Sequence, residues 1–317
     1  MQKRLEMLKK DLLGRYEVRK TDAQKAEFID WAGQYAYDLG IAMQVEESGK
    51  FIKTRNLVFG DLKTARTLIT AHYDTCARMP FPNFMTPACW PVIFLTQLLL
   101  PVVFFLALGY FTGFASAKIF PMFMPLWAAE IAGSLFSSVI LFAVAGLILF
   151  GPQNPHTAND NTSGVAMVLA LLPEYADRKD IAFVLFDNEE KGLLGSSAFA
   201  KAHKTLQKQA VVLNFDCVSD GDTLLYVYNK GAKNCALIKK IIAALEETAP
   251  RYGKQIMTGQ SPRVLYPSDQ MAFVRGTAFA SLKGKRILYL DRIHTEKDTV
   301  FDETNLLCLA EIVRKVM

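Results

Sequence analysis

The chain has 317 residues, is 51% hydrophobic and 21% charged, and carries a formal net charge of +5. That length admits one large α/β domain. The positive charge is dispersed, without a basic stripe or a nucleic-acid motif, which argues against a nucleic-acid binder. Five cysteines (76, 89, 217, 235 and 308) form an odd, widely spaced set, which fits a reducing compartment better than a disulfide framework.

The opening, Met1 to Tyr16, is charged and lacks the apolar core of a signal peptide. Thr21 and Gln24 have capping-box spacing and predict a helix running to about Leu39, with Phe28, Trp31, Ala32 and Tyr35 on its packed face. Residues 55–60 and 67–73 read as strands with a turn at Gly60-Asp61, and the second delivers His72-Tyr73-Asp74.

The composition then changes. From Met79 to Ala117 no side chain is charged. Two stretches, about 90–112 and 124–150, are long enough to cross a bilayer, which takes ~20 apolar residues. Pro101 is expected to kink the first, and Lys118 lies in the connection, placed at about Ser116 to Pro121. Trp90, Tyr110, Phe111 and Trp127 lie near the ends, as interface anchors do. The reading is a transmembrane helical hairpin, with a buried soluble hairpin or a dimerisation arm as its competitor. Both flanks return to one side and carry nearly all Lys and Arg, so the positive-inside bias places them in the cytoplasm.

Beyond the loop 151–155, Asn159-Asp160-Asn161-Thr162-Ser163-Gly164 opens an apolar helix from Val165 to Tyr175. A buried strand, Ile181 to Phe186, ends in Asp187-Asn188-Glu189-Glu190, and a helix follows from about Gly192 to Lys208. Further strands are expected at 210–215 (ending in Asp216), 223–228, 276–282 and 286–290, with helices at 232–247 and 303–316; His294 follows the last strand. Alternating β and α elements predict a three-layer α/β/α sandwich with a mixed, mostly parallel central sheet, interrupted by the hairpin. The expected division is 1–80 and 153–317 as one catalytic domain and 81–152 as the insert.

The polar residues gather at strand ends, where α/β sheets place their chemistry: His72, Asp74, Asp160, Glu189, Glu190, Asp216, His294 and Asp298. Imidazole and carboxylate donors without a cysteine cluster suit zinc, with manganese or cobalt as substitutes. Neighbouring side chains on extended chain point apart, so Glu189 and Glu190 can do different jobs. His203, among lysines, reads as a solvated helix residue, and His156 as a loop residue.

In their order along the chain, Ala71-His72-Tyr73-Asp74, Asn159 to Gly164, Asp187 to Ser196, Asn214-Phe215-Asp216, Ser268-Asp269 with Phe273, and His294-Thr295 with Asp298-Thr299 resemble the M28 family of zinc exopeptidases. The resemblance implies two zinc ions, one held by His72 and Asp216 and the other by Glu190 and His294, with Asp160 bridging. It implies Glu189 as the general base acting on the water between the metals, and Asp74 as the acceptor of the second ring N–H of His72. Asp298 would support the loop of His294 in a similar way, and the Asp160–Asn161 peptide would be cis. The family usually has a short loop between His72 and Asp160, where this chain has 87 residues. Gln270 stands where many relatives have histidine, and Tyr266 does not align cleanly with their carbonyl-polarising tyrosine. The implied protein is a membrane-anchored aminopeptidase acting on peptides. A glutaminyl-cyclase-like acyl transferase with one zinc and an inactive membrane receptor or scaffold are the alternatives.

Overall fold

The computed structural model of the protein describes residues 1–79 and 83–317. Eight segments pair into one sheet: β1 (Met43–Ser48), β2 (Thr54–Phe59), β3 (Thr67–His72), β4 (Ile181–Phe186), β5 (Val211–Phe215), β6 (Thr223–Tyr228), β7 (Gln255–Gln260) and β8 (Arg275–Leu282). Their spatial order is β1-β2-β4-β3-β5-β8-β6-β7. The β4-β3-β5-β8 centre is parallel, β1, β2 and β4 pair antiparallel, and β6 runs antiparallel to β8 but parallel to β7. Strands β3, β4 and β5 are buried along their whole length, as near-continuous apolar runs between two helical layers must be.

One face of the sheet packs on α1 (Gln2–Arg15), α2 (Asp22–Asp38), α6 (Gly164–Tyr175), α9 (Ala236–Thr248) and α10 (Glu303–Val316); the other carries α7 (Leu194–Ala202) and α8 (Lys204–Gln209). The capping box of α2 forms as expected: Gln24 N–H donates to Thr21 Oγ1 at 3.2 Å, and Thr21 N–H to Gln24 Oε1 at 3.0 Å. The segment 1–20 reads as a charged amphipathic lead-in, and in α1 Leu5, Leu8 and Leu12 form a buried stripe while Arg4 donates to the Ala170 carbonyl.

Three local expectations are corrected. Residues 286–290 form isolated bridges only, Lys283 with Tyr289 and Leu290 with Met85. β1 and β7 were not foreseen. The helix expected over 192–208 starts at Leu194 and breaks at His203, whose ring packs on Phe199 and lies 2.9 Å from Glu46 Oε2, so it is not simply solvated.

Between β3 and α6 the chain runs through α3 (Trp90–Ile93), a π-helical turn (Phe94–Leu99) and α4 (Leu100–Ile119), which form one continuous helix from Trp90 to Met122, and returns through α5 (Leu126–Phe150). The π turn precedes Pro101, and Leu100 N–H bonds there to the Leu95 carbonyl five residues back. The first helix outlasts its expected end near 112, and Lys118 lies in its last turn rather than in the connection. Mean hydropathy reaches 2.4 and 2.3 in the two helices, with 0% and 6% of those windows buried. Both are therefore long and apolar enough to cross a membrane, and both are exposed. They meet at small residues: a Cβ on Gly133 would lie 2.7 Å from Ser116 Oγ. The expected boundary at 80/81 lies outside the described residues.

The base of this hairpin is tied into the sheet domain. Arg78 N–H donates to the Pro152 carbonyl and Met79 N–H to the His294 carbonyl, both at 2.8 Å. Met85 and Leu290 exchange two backbone hydrogen bonds, and Phe84 stacks on Tyr289 with centroids 5.0 Å apart.

Candidate metal centre

The parallel strands β3, β4 and β5 end side by side, so the residues that follow them converge. His72 closes β3, Glu189 and Glu190 follow β4, and Asp216 follows β5. Asp160 comes from the turn that opens α6. A Cβ on Gly164 would lie 2.2 Å from the Phe215 carbonyl, so glycine is what lets that turn press against the end of β5. Asn161 donates to the same carbonyl at 3.0 Å, and Asn159 Oδ1 accepts the backbone N–H groups of Ser219 (2.8 Å) and Asp220 (3.0 Å). The loops carrying Asp160 and Asp216 are thus cross-tied. The Asp160–Asn161 peptide is cis, as the resemblance implied.

His72 Nε2 lies 3.3 Å from Asp160 Oδ1 and 3.5 Å from Asp216 Oδ1. His294 Nε2 lies 3.1 Å from Asp160 Oδ2 and 3.2 Å from Glu190 Oε2. Asp160 therefore offers one oxygen to each of two histidine–carboxylate groups. The five residues expected as metal ligands are all brought together. Glu189 sits beside them, its ligand atom grouped with those of His72 and Glu190 within 4.8 Å.

The supporting contacts differ in detail from the expected ones. The close partners of the Asp74 carboxylate are the backbone N–H groups of Glu189 (2.9 Å) and Glu190 (3.2 Å). His72 Nδ1 lies 3.2 Å from the carbonyl of Asp74 and 3.6 Å from its carboxylate. The Asp298 carboxylate supports the turn of Asp160, accepting from the N–H groups of Asn159 (2.9 Å) and Asp160 (3.0 Å), while its own backbone N–H donates to the Thr295 carbonyl. Tyr266 donates its hydroxyl to the Asp216 carbonyl at 3.1 Å, and Gln270 donates to the Tyr266 carbonyl. His156 pairs with Glu17 instead. Three of the non-glycine residues with left-handed backbone are Asn188, Cys217 and His294, each a site residue or next to one, which is where such strain collects.

Two buried cations had no sequence signal. Arg19 is fully buried and donates to the Tyr73 and Tyr16 carbonyls and, at 3.1 Å, to Thr162 Oγ1; burial lowers its pKa to about 10. Lys25 is paired with Asp187 and donates to Asn188 Oδ1 at 2.8 Å, which fixes the turn that precedes Glu189.

The electrostatics are those of a cation site. Burial pushes Glu190 up to about 8 and raises Glu189 well above its usual range, with neighbouring carboxylates adding to both. Burial also takes Asp298 to about 8 and Asp269 to about 7. Burial alone would lower the histidines, but the surrounding carboxylates prevail: His294 rises to about 9 and His72 well above its usual value. Asp160, desolvated but held between two imidazoles, stays below the ordinary carboxylate range. Carboxylates this crowded either hold protons or pair with positive charge. Glu190 Oε1 and both Asp269 oxygens are buried without a hydrogen-bond partner. The donor set, all N and O in these two groups, fits zinc.

Sheet, layers and strand-end cluster define the zinc exopeptidase and glutaminyl cyclase fold. The model of peptidase family M28 matches residues 144–317, more than half of the chain, and the chain belongs to that family. A glutaminyl cyclase from Porphyromonas gingivalis superposes with a TM-score of 0.63 at 16% identity, covering 99% of this chain and 96% of its own. A Zn-dependent exopeptidase from Parabacteroides distasonis gives 0.62 at 15% identity over 99% and 96%. A leucine aminopeptidase precursor from Bacteroides thetaiotaomicron gives 0.58 at 14% identity over 99% and 95%. No curated protein matches by sequence.

Proposed function

We propose that the protein is a two-zinc exopeptidase that removes N-terminal residues from peptides and is held in a membrane by its hairpin. The observation that carries this reading is Asp160, with one carboxylate oxygen 3.3 Å from His72 Nε2 and the other 3.1 Å from His294 Nε2. His72, Asp160 and Asp216 would hold one ion, and His294, Asp160 and Glu190 the other. Bound there, the ions would lower the pKa of a bound water and polarise the scissile carbonyl.

The remaining work falls to this chain's own residues. Glu189 accepts the proton that the attacking water loses and returns it to the leaving amine. Asp74, bonded to the N–H groups of Glu189 and Glu190, keeps the base and the adjacent ligand in register. Asp298 holds the turn of Asp160. Relatives of the same fold include a protein titled as a glutaminyl cyclase, and acyl transfer on one zinc is the competing activity. Two complete donor groups favour two ions and hydrolysis. The hairpin supplies the anchor, with residues 1–78 and 152–317 cytoplasmic.

Purified protein is expected to contain two zinc ions per chain and to release amino acids from amino-acid amides. Chelation should abolish release, and zinc should restore it. One ion per chain with cyclisation of N-terminal glutamine, or full activity after complete metal removal, would overturn the assignment.

A further inference from the structure

Cys76 is buried, 3% exposed, four residues beyond His72. Buried cysteines usually behave as small hydrophobes, and Cys308 does, sitting in an apolar cluster; Cys217 is also in an apolar cluster but donates its thiol to Asp216 Oδ1 at 3.2 Å. Cys76 belongs to none of these clusters. The donor atoms of Cys76, Glu190 and His294 all lie within 4.8 Å of one another. Glu190 is about nine-tenths buried, and while its Oε2 faces His294 Nε2 at 3.2 Å, its Oε1 has no hydrogen-bond partner. Backbone bonds fix this corner. Asn154 N–H donates to the Cys76 carbonyl at 3.3 Å, and Met79 N–H to the His294 carbonyl at 2.8 Å.

We propose that Cys76 is a further metal ligand, giving the His294 end a Cys-His-Glu-Asp donor set of Cys76, His294, Glu190 and Asp160. This rests on the two-metal reading above. Four protein donors complete a tetrahedron and leave no open position, whereas three leave one for water. The pair is then unequal: the His294 end is closed, and the His72 end, with His72, Asp160 and Asp216, is open. Glu189 is grouped with both His72 and Glu190, within reach of the open position. A thiolate also biases the closed end toward zinc and away from manganese or magnesium, which prefer oxygen.

The test uses the full-length protein in detergent, loaded with zinc and separately with cobalt. X-ray absorption at the zinc edge should show a sulfur shell at about 2.3 Å, and the cobalt form should show a thiolate-to-cobalt charge-transfer band. In Cys76→Ala both features should vanish, while one ion stays bound and the other is weakened more than the ~10–100-fold typical of losing an outer-shell partner. Two ions coordinated only by nitrogen and oxygen in the unaltered protein would overturn the proposal and leave the two-metal reading standing. Persistence of the sulfur features in Cys76→Ala would also overturn it. Failure to bind either metal would sink both.

Discussion

α6 and α5 are similarly apolar helices in opposite surroundings. In α6, Val165 to Leu172 are buried without interruption between the sheet, α1 and α10. In α5, Phe142 is 78% exposed, Val139 65% and Leu135 62%, and the helix packs chiefly along its seam with α4. Burying apolar surface contributes about 25 cal/mol per Å² wherever water is excluded, so the second helix has an unmet demand for an apolar medium, and it is long and apolar enough to cross a membrane. Hydropathy measures the demand for burial, not what meets it.

If the sheet domain does the chemistry and the hairpin does the anchoring, mutations should separate the two. The largest effect is expected for Glu189→Gln, which should lower kcat by ~10²–10⁴-fold with metal content and membrane association unchanged. Next comes Arg19→Met, which takes a fully buried guanidinium away from the Tyr16 and Tyr73 carbonyls and Thr162 Oγ1. It should cost about 1–3 kcal/mol for each buried acceptor left unsatisfied, measured by denaturant unfolding of the detergent-solubilised protein; a loss below about 1 kcal/mol would contradict the buried network. Phe142→Lys should disfavour membrane insertion by roughly 2.5–3.5 kcal/mol, seen as protein shifting from the membrane to the soluble or aggregated fraction. A neutral outcome would mean that this exposed face meets water. The smallest is Thr21→Ala, which removes the α2 cap and should cost about 1 kcal/mol with kcat unaltered.

The sequence disclosed most of what lies on strong patterns. Buried central strands are continuous apolar runs, so β3, β4, β5 and β6 were readable to within a residue or two. The outermost strands β1 and β7 are half-exposed and polar, Met-Gln-Val-Glu-Glu-Ser and Gln-Ile-Met-Thr-Gly-Gln, and lack that signal. Residues 286–290 have the apolar signal but lie beside a loop and gain only single bridges. In the site, the motif order was enough to gather His72, Asp160, Glu190, Asp216 and His294. The partners of Asp74 and Asp298 were not legible, because a carboxylate bonded to backbone N–H groups leaves no residue-type signature. Arg19 and Lys25 were hidden for a related reason, since a lone cation in a charged segment reads as solvated.

The position of the hairpin within the sheet order has a biosynthetic consequence. β3 pairs with β4 on one side and β5 on the other, and both follow the hairpin in the chain. As the polypeptide leaves the ribosome, His72 emerges on a strand whose neighbours do not yet exist, and both apolar helices must emerge before those neighbours do. If the hairpin enters a bilayer, its delivery can therefore begin before the sheet closes, and the cluster around Asp160 is assembled only after both apolar helices have emerged.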